Sequence, residues 1–126
     1  MKTIIKPVYY CDYCKKRYLH KGFAVKHERH CTMNPGRECG MCKLAELEQP
    51  DMKELLDKYR PRLKITDTKY TRDIQMGYKE LADLQNDTNN CPACTLAILR
   101  QLGAAHLTNF DYKSAKQKFF DWEVNP

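Results

Sequence analysis

Tyr10-Cys11-Asp12-Tyr13-Cys14 and His27-Glu28-Arg29-His30-Cys31 are the stretches from which the fold is read, with twelve residues between Cys14 and His27 and three between His27 and Cys31. The two-residue cysteine spacing returns in Cys39-Gly40-Met41-Cys42 and Cys91-Pro92-Ala93-Cys94, which are separated by 48 residues. The seven cysteines and His27 thus form two sets of four donors, three thiolates with an imidazole and four thiolates, with no thiol left over. Zinc takes four tetrahedral ligands of these kinds, and a site that fills all four is structural and has no open position for substrate. Two zinc ions are therefore the expected cofactors, one on Cys11, Cys14, His27 and Cys31, the other on Cys39, Cys42, Cys91 and Cys94. An odd number of cysteines also fits a disulfide framework poorly. Two rival readings of the paired cysteines stay open: metal shared across a dimer, and a redox dithiol at Cys91 and Cys94. Against the dithiol, Leu84–Asn90 reads as a polar loop, where redox folds place a buried strand.

A chain of 126 residues has little apolar surface to bury, and metal sites supply the stability that a small core cannot. The N-terminal residues lack the apolar stretch of a signal peptide and no segment approaches a membrane span. The expectation is an intracellular, cytoplasmic protein in a reducing compartment, with no membrane partner. The net charge of +6 is uneven: residues 1–31 hold eight Lys/Arg against Asp12 and Glu28, so the rest of the chain is neutral. Ionised thiolates would lower the sum, by one for zinc with three and by two for zinc with four, but the basic excess stays at the N-terminus.

Residues 9–31 resemble the two-Cys-two-His zinc-finger family in the variant with cysteine as fourth ligand, on Tyr10–Cys14, Tyr18 and His27–Cys31. The resemblance implies a ββα unit over residues 1–35. A tight knuckle between two short strands presents Cys11 and Cys14, and one helical turn sets His27 and Cys31 on the same face. Tyr18 stands at the family's core aromatic position. Ala24 stands where a leucine is usual, so Phe23 or Val25 is expected to fill the gap. His30 also reaches the ligand face, but choosing it would strand Cys31, and it is expected on the solvated side of the helix.

In that family the residues meeting base edges precede the first ligand histidine, which here selects His20, Gly22, Phe23 and Lys26. A lone finger spans only about three base pairs, so sequence-specific reading is not expected of it. Phosphate contact is. Lys15, Lys16 and Arg17 at the knuckle, with His20, Lys21, Lys26 and Arg29 on or beside the helix, lie among Tyr9, Tyr10, Tyr13 and Tyr18. Cations interleaved with aromatics suit DNA or RNA.

Residues 36–126 read as an α-helical body clasped by the four-cysteine site. Leu44 and Leu47 suggest a short helix after Cys42, and Asp51 with Glu54 a capping pair for a helix that Pro61 stops. Ile74, Tyr78, Leu81 and Ala82 predict a helix over about residues 70–86, and Pro92 to Gly103 another. Tyr112, Ala115, Phe119 and Trp122 mark the last, while residues 66–70 fit a strand or a loop equally. The fold class expected is mainly α with a small ββα finger.

No catalytic residues are expected. His27 and His30 miss the spacing of a zinc hydrolase helix, and the cysteine pairs miss the deaminase signature. His106 and Asn109 lie in no motif, and neither a phosphate loop nor a carboxylate pair stands out. The sequence thus points to a non-enzymatic two-zinc protein without a small-molecule substrate, a regulatory factor whose basic finger engages nucleic acid. The alternative is a zinc-stabilised adaptor or inhibitor acting through protein–protein contact.

Overall fold

The computed structural model describes residues 1–124. Strands β1 (Tyr9–Tyr10) and β2 (Arg17–Tyr18) pair antiparallel, with Tyr9 opposite Tyr18, and lead into helix α1 (Lys21–His30). Helices α2 (Gly40–Leu44) and α3 (Met52–Tyr59) follow, then a 3-10 turn at Arg60–Arg62. A second antiparallel hairpin, β3 (Lys64–Asp67) and β4 (Arg72–Gln75), precedes α4 (Tyr78–Asp87), α5 (Pro92–Gln101) and α6 (Tyr112–Phe119), and α6 runs on into a π-helical turn at Phe120–Val124. The protein is mainly helical with two small hairpins.

Two apolar centres organise the body. In the larger, Leu55, Leu56 and Tyr59 of α3 meet Leu81 and Leu84 of α4 and Ala97, Ile98 and Leu99 of α5. The smaller is built from the cysteines themselves: Cys39, Cys42, Cys91 and Cys94 pack with Ala93 and Phe119. Helix α5 serves both. Its N-terminal turn carries Cys91 and Cys94, and its later turns fill the larger core.

Helix boundaries follow their capping chemistry. The Asp51 carboxylate accepts from the N–H groups of Lys53 and Glu54 and starts α3. Pro92, which has no N–H to leave unsatisfied, opens α5. Gly103, at φ +74°, closes it. There the Ala104 N–H donates to the Leu99 carbonyl at 2.8 Å and the Gly103 N–H to that of Arg100 at 3.0 Å, so orphan carbonyls of the last turn are satisfied.

Four expectations need correction. The helix expected over about residues 70–86 begins only at Tyr78, because residues 72–75 pair with 64–67 as a hairpin and put Ile74 opposite Ile65. The Thr68 hydroxyl bonds Thr71 across the turn, which settles residues 66–70 as the end of a strand and a turn. The short helix near Leu44 spans Gly40–Leu44 and includes Cys42 instead of following it, and Leu44 is exposed. Trp122 is 77% exposed; the buried aromatic of the last helix is Phe119. Finally, neither Phe23 nor Val25 substitutes for the missing leucine, since both are exposed and Ala24 alone is buried on α1.

The α3–α4 junction is held by a polar network. The buried Tyr59 hydroxyl donates to Asp87 Oδ2 at 2.6 Å, and Lys58 Nζ reaches the same oxygen at 2.7 Å. Arg62 lies over the Tyr59 ring and bonds Asp83 at 2.7 Å. Hydrogen bonds from Lys58 and then Tyr59 hold the Asp87 carboxyl below the usual range. Burial, followed by the bond to Asp87, pushes the Tyr59 phenol up. A depressed carboxyl stabilises the fold above the ordinary aspartate pKa, and that contribution is lost as pH falls through the depressed value. Tyr59→Phe is expected to cost about 1 kcal/mol in urea unfolding, the usual worth of one such bond. The same variant should raise the Asp87 pKa in a carboxyl NMR titration, and an unmoved titration would contradict the role given to the hydroxyl.

Candidate metal centres

The first centre is assembled by the N-terminal hairpin and α1. The Cys11 N–H donates to the Lys16 carbonyl and the Lys15 N–H to the Cys11 carbonyl, each at 2.9 Å, which closes the knuckle. Lys15 takes φ +65° to turn it. The Asp12 N–H donates to Glu28 Oε2 at 2.8 Å and pins the knuckle to α1. His27 and Cys31, four residues apart at the end of α1, then face Cys11 and Cys14. Cys14 Sγ stands 3.2 Å from His27 Nε2, and the four donor atoms all lie within 4.8 Å of one another. The Tyr18 ring backs His27 with centroids 5.2 Å apart. His30 lies outside the cluster, its Nδ1 donating to the Glu38 carbonyl at 2.8 Å.

The second centre joins two helix N-termini. Cys39 and Cys91 occupy the N-cap positions of α2 and α5, with Cys42 and Cys94 three residues on. Helix N-termini carry partial positive charge, which favours thiolates. Cys39 Sγ stands 3.5 Å from Cys91 Sγ and Cys42 Sγ 3.6 Å from Cys94 Sγ, again with all four donors within 4.8 Å. The knuckles are braced from outside. Gln49 Oε1 accepts the Cys39 N–H at 2.6 Å, and the buried Thr95 hydroxyl bonds the Cys91 carbonyl at 3.0 Å. Before Cys91, Asn89 and Asn90 both take left-handed backbone, at φ 55° and 60°, a conformation that asparagine tolerates better than most residues.

The donors fit a tetrahedral metal. Thiolate bonds of about 2.3 Å set sulfurs about 3.8 Å apart around such an ion, slightly beyond the separations seen here. They are far from the roughly 2.05 Å of a disulfide, and all seven cysteines are free. Electrostatics points the same way. Hydrogen bonds from Cys42 and Cys91 hold the Cys39 thiol down, the bonds with Cys39 and Cys91 push Cys42 up, and those with Cys39, Cys42 and Cys91 push Cys94 up. In the first centre burial raises the Cys31 thiol to about 11. A cation at the centre would favour the ionised form of every sulfur.

Lys15, Lys16, Arg17, His20, Lys21, Lys26 and Arg29 are all exposed on the hairpin–helix unit. Among the described residues the ion pairs lie within residues 57–87, so none of these six lysines and arginines is neutralised by a carboxylate. His20 stands at the N-cap position of α1 without a side-chain capping bond, its ring edge-on to Phe23, which is 63% exposed, and a side chain at Gly22 would meet open space. Lys16 Nζ lies 5.5 Å from the Tyr18 ring centre. The unit is not loosely tethered: Gln101 Nε2 donates to the carbonyls of Thr32 and Asn34, and Arg100 to the Thr32 hydroxyl. His106 and Asn109 form no site; Asn109 donates to the Tyr78 hydroxyl. The supporting residues Gln49, Thr95, Arg100 and Gln101 carry no sequence signal, because each acts on a segment that only the fold brings near.

Comparison with protein-family models, with curated proteins and with solved structures finds no match for this chain.

Native mass spectrometry of protein supplied with excess zinc is expected to show two ions per chain, and Cys91→Ser one. Uptake is expected to fail as pH falls, since protons compete with metal for thiolates and imidazole. A Cys91→Ser chain that still carries two ions would break the assignment of ligands to centres.

Proposed function

We propose that the chain is a non-enzymatic two-zinc protein whose N-terminal finger engages DNA or RNA through its phosphates, as a regulatory factor. The observation that carries this reading is the concentration of net positive charge on the exposed N-terminal unit. Residues 1–31 hold eight Lys/Arg against Asp12 and Glu28, none of the eight in an ion pair among the described residues, whereas the rest of the chain is neutral. A patch of unneutralised cations with exposed Tyr10 and Tyr13 beside it favours a polyanion that also offers stacking faces. Zinc is the metal we assign, because thiolate-rich tetrahedral donor sets select it over harder ions. With all eight donors spent on ligation, neither ion has a coordination position for a reacting water or substrate. Thiolate ligands persist where thiols stay reduced, and we place the protein in the cytoplasm.

A second reading, a zinc-stabilised adaptor or inhibitor, is favoured by Leu19, Phe23 and Val25, exposed apolar side chains beside or on α1. Salt separates the two. If the finger neutralises several phosphates, its affinity for a mixed-sequence oligonucleotide falls steeply between about 50 and 200 mM salt. The Lys15/Lys16/Arg17 triple alanine variant should bind weakly and with a shallower salt slope in fluorescence anisotropy. Absence of binding by the zinc-loaded chain to both DNA and RNA at low salt would leave the adaptor reading in its place.

A further inference from the structure

Arg37 is the one Lys or Arg among the described residues with a buried side chain, at 5% exposure. A guanidinium stays charged at any physiological pH, and burying a charge is costly unless a counter-charge is at hand. No carboxylate supplies it, for none of the ion pairs includes Arg37. Its Nη1 instead points at Cys94 Sγ, 3.8 Å away, and its Nε donates to the His30 carbonyl at 3.3 Å. The backbone around it is fixed too: the Arg37 carbonyl accepts from Gln49 Nε2 at 2.6 Å, and Gln49 in turn receives the Cys39 N–H.

We infer that Arg37 is the counter-ion of the four-cysteine centre and the strut through which metal in that centre holds the N-terminal finger in place. Four thiolates around a divalent cation leave a net charge of −2, a strong acceptor for a guanidinium in a dry setting. A loaded centre therefore supplies the counter-charge that no carboxylate gives Arg37. The guanidinium's other contact lies at the end of α1, three residues beyond His27 and directly before Cys31. The same joint is closed by the Glu38 N–H on the Arg29 carbonyl at 2.9 Å and by His30 Nδ1 on the Glu38 carbonyl. One side chain thus spans an anion made by one metal and the helix that presents two ligands to the other. The inference rests on the reading that both clusters take metal.

The test uses full-length protein loaded with two zinc ions, and cobalt-substituted protein to tell the centres apart by the sulfur-to-metal charge-transfer band. Loss of an outer partner of a metal ligand typically costs about 10- to 100-fold in affinity, so Arg37→Gln is expected to weaken the four-cysteine centre by that factor. The finger's own metal affinity should change far less, and amide exchange at Glu38 should speed by about tenfold as the joint opens locally. Wild-type affinity at the four-cysteine centre in Arg37→Gln would overturn the proposal. Should that variant fail to fold, Arg37→Lys carries the test. It keeps the charge but cannot reach Cys94 and His30 together, so it should retain the metal while Glu38 exchange quickens. Unchanged exchange, or loss of the metal, would overturn the proposal. Wild-type protein that takes up no zinc at all would instead count against the two-zinc reading on which it rests.

Discussion

Four sulfurs cannot share a small dry pocket as thiolates unless a cation sits among them, and the C-terminal body brings four together in such a pocket. Cys39 and Cys42 come from one side of the body, and Cys91 and Cys94 from the start of α5. Each pair is set at a helix N-terminus, where the backbone offers N–H groups and partial positive charge. Phe119 packs against the cluster, and the cysteines replace the aliphatic side chains that would otherwise fill this second core. The N-terminal unit follows the same logic on a smaller scale. Its apolar interior is little more than Ala24, Tyr18 and the sulfurs themselves, too little to hold two two-residue strands against a ten-residue helix.

The charge distribution divides the molecule in two. The rest of the chain beyond residues 1–31 balances its lysines and arginines with an equal number of acidic residues, pairs Lys58, Arg60, Arg62 and Arg72 with carboxylates, and hides its one buried guanidinium against sulfur. The N-terminal unit leaves its cations open to solvent. That division is already visible in the sequence, since residues 1–31 carry the whole net charge of +6.

That Cys11, Cys14, His27 and Cys31, and the four later cysteines, would gather in two clusters was legible in the sequence because such spacing is set by local geometry. Two residues between cysteines make a knuckle, and four along a helix make a shared face. Caps were legible for the same reason, at Asp51, Pro92 and Gly103. The second hairpin was not. Ile74, Tyr78 and Leu81 fit a helical period, and nothing local says that Ile74 belongs to a strand paired with residues 64–67. Exposed two-stranded ribbons carry little alternation to read. Trp122 was misplaced because α6 gives way to a π-helical turn at Phe120, which shifts the apolar face by part of a turn. The contacts of Arg37 with Cys94 and of Gln101 with Thr32 span 57 and 69 residues, and no pattern in the chain announces them.

The two cysteine pairs of the second centre enclose 48 residues, and that enclosure has a thermodynamic meaning. Tying the ends of a loop of this length removes about 4 kcal/mol of conformational freedom from the unfolded chain, the amount expected for a disulfide of the same span. A disulfide is set by the redox state of its surroundings, whereas a coordinate clasp opens and closes with the free metal concentration. Helices α3 and α4, which contribute no ligand, would therefore owe part of their persistence to the ion supply around the molecule.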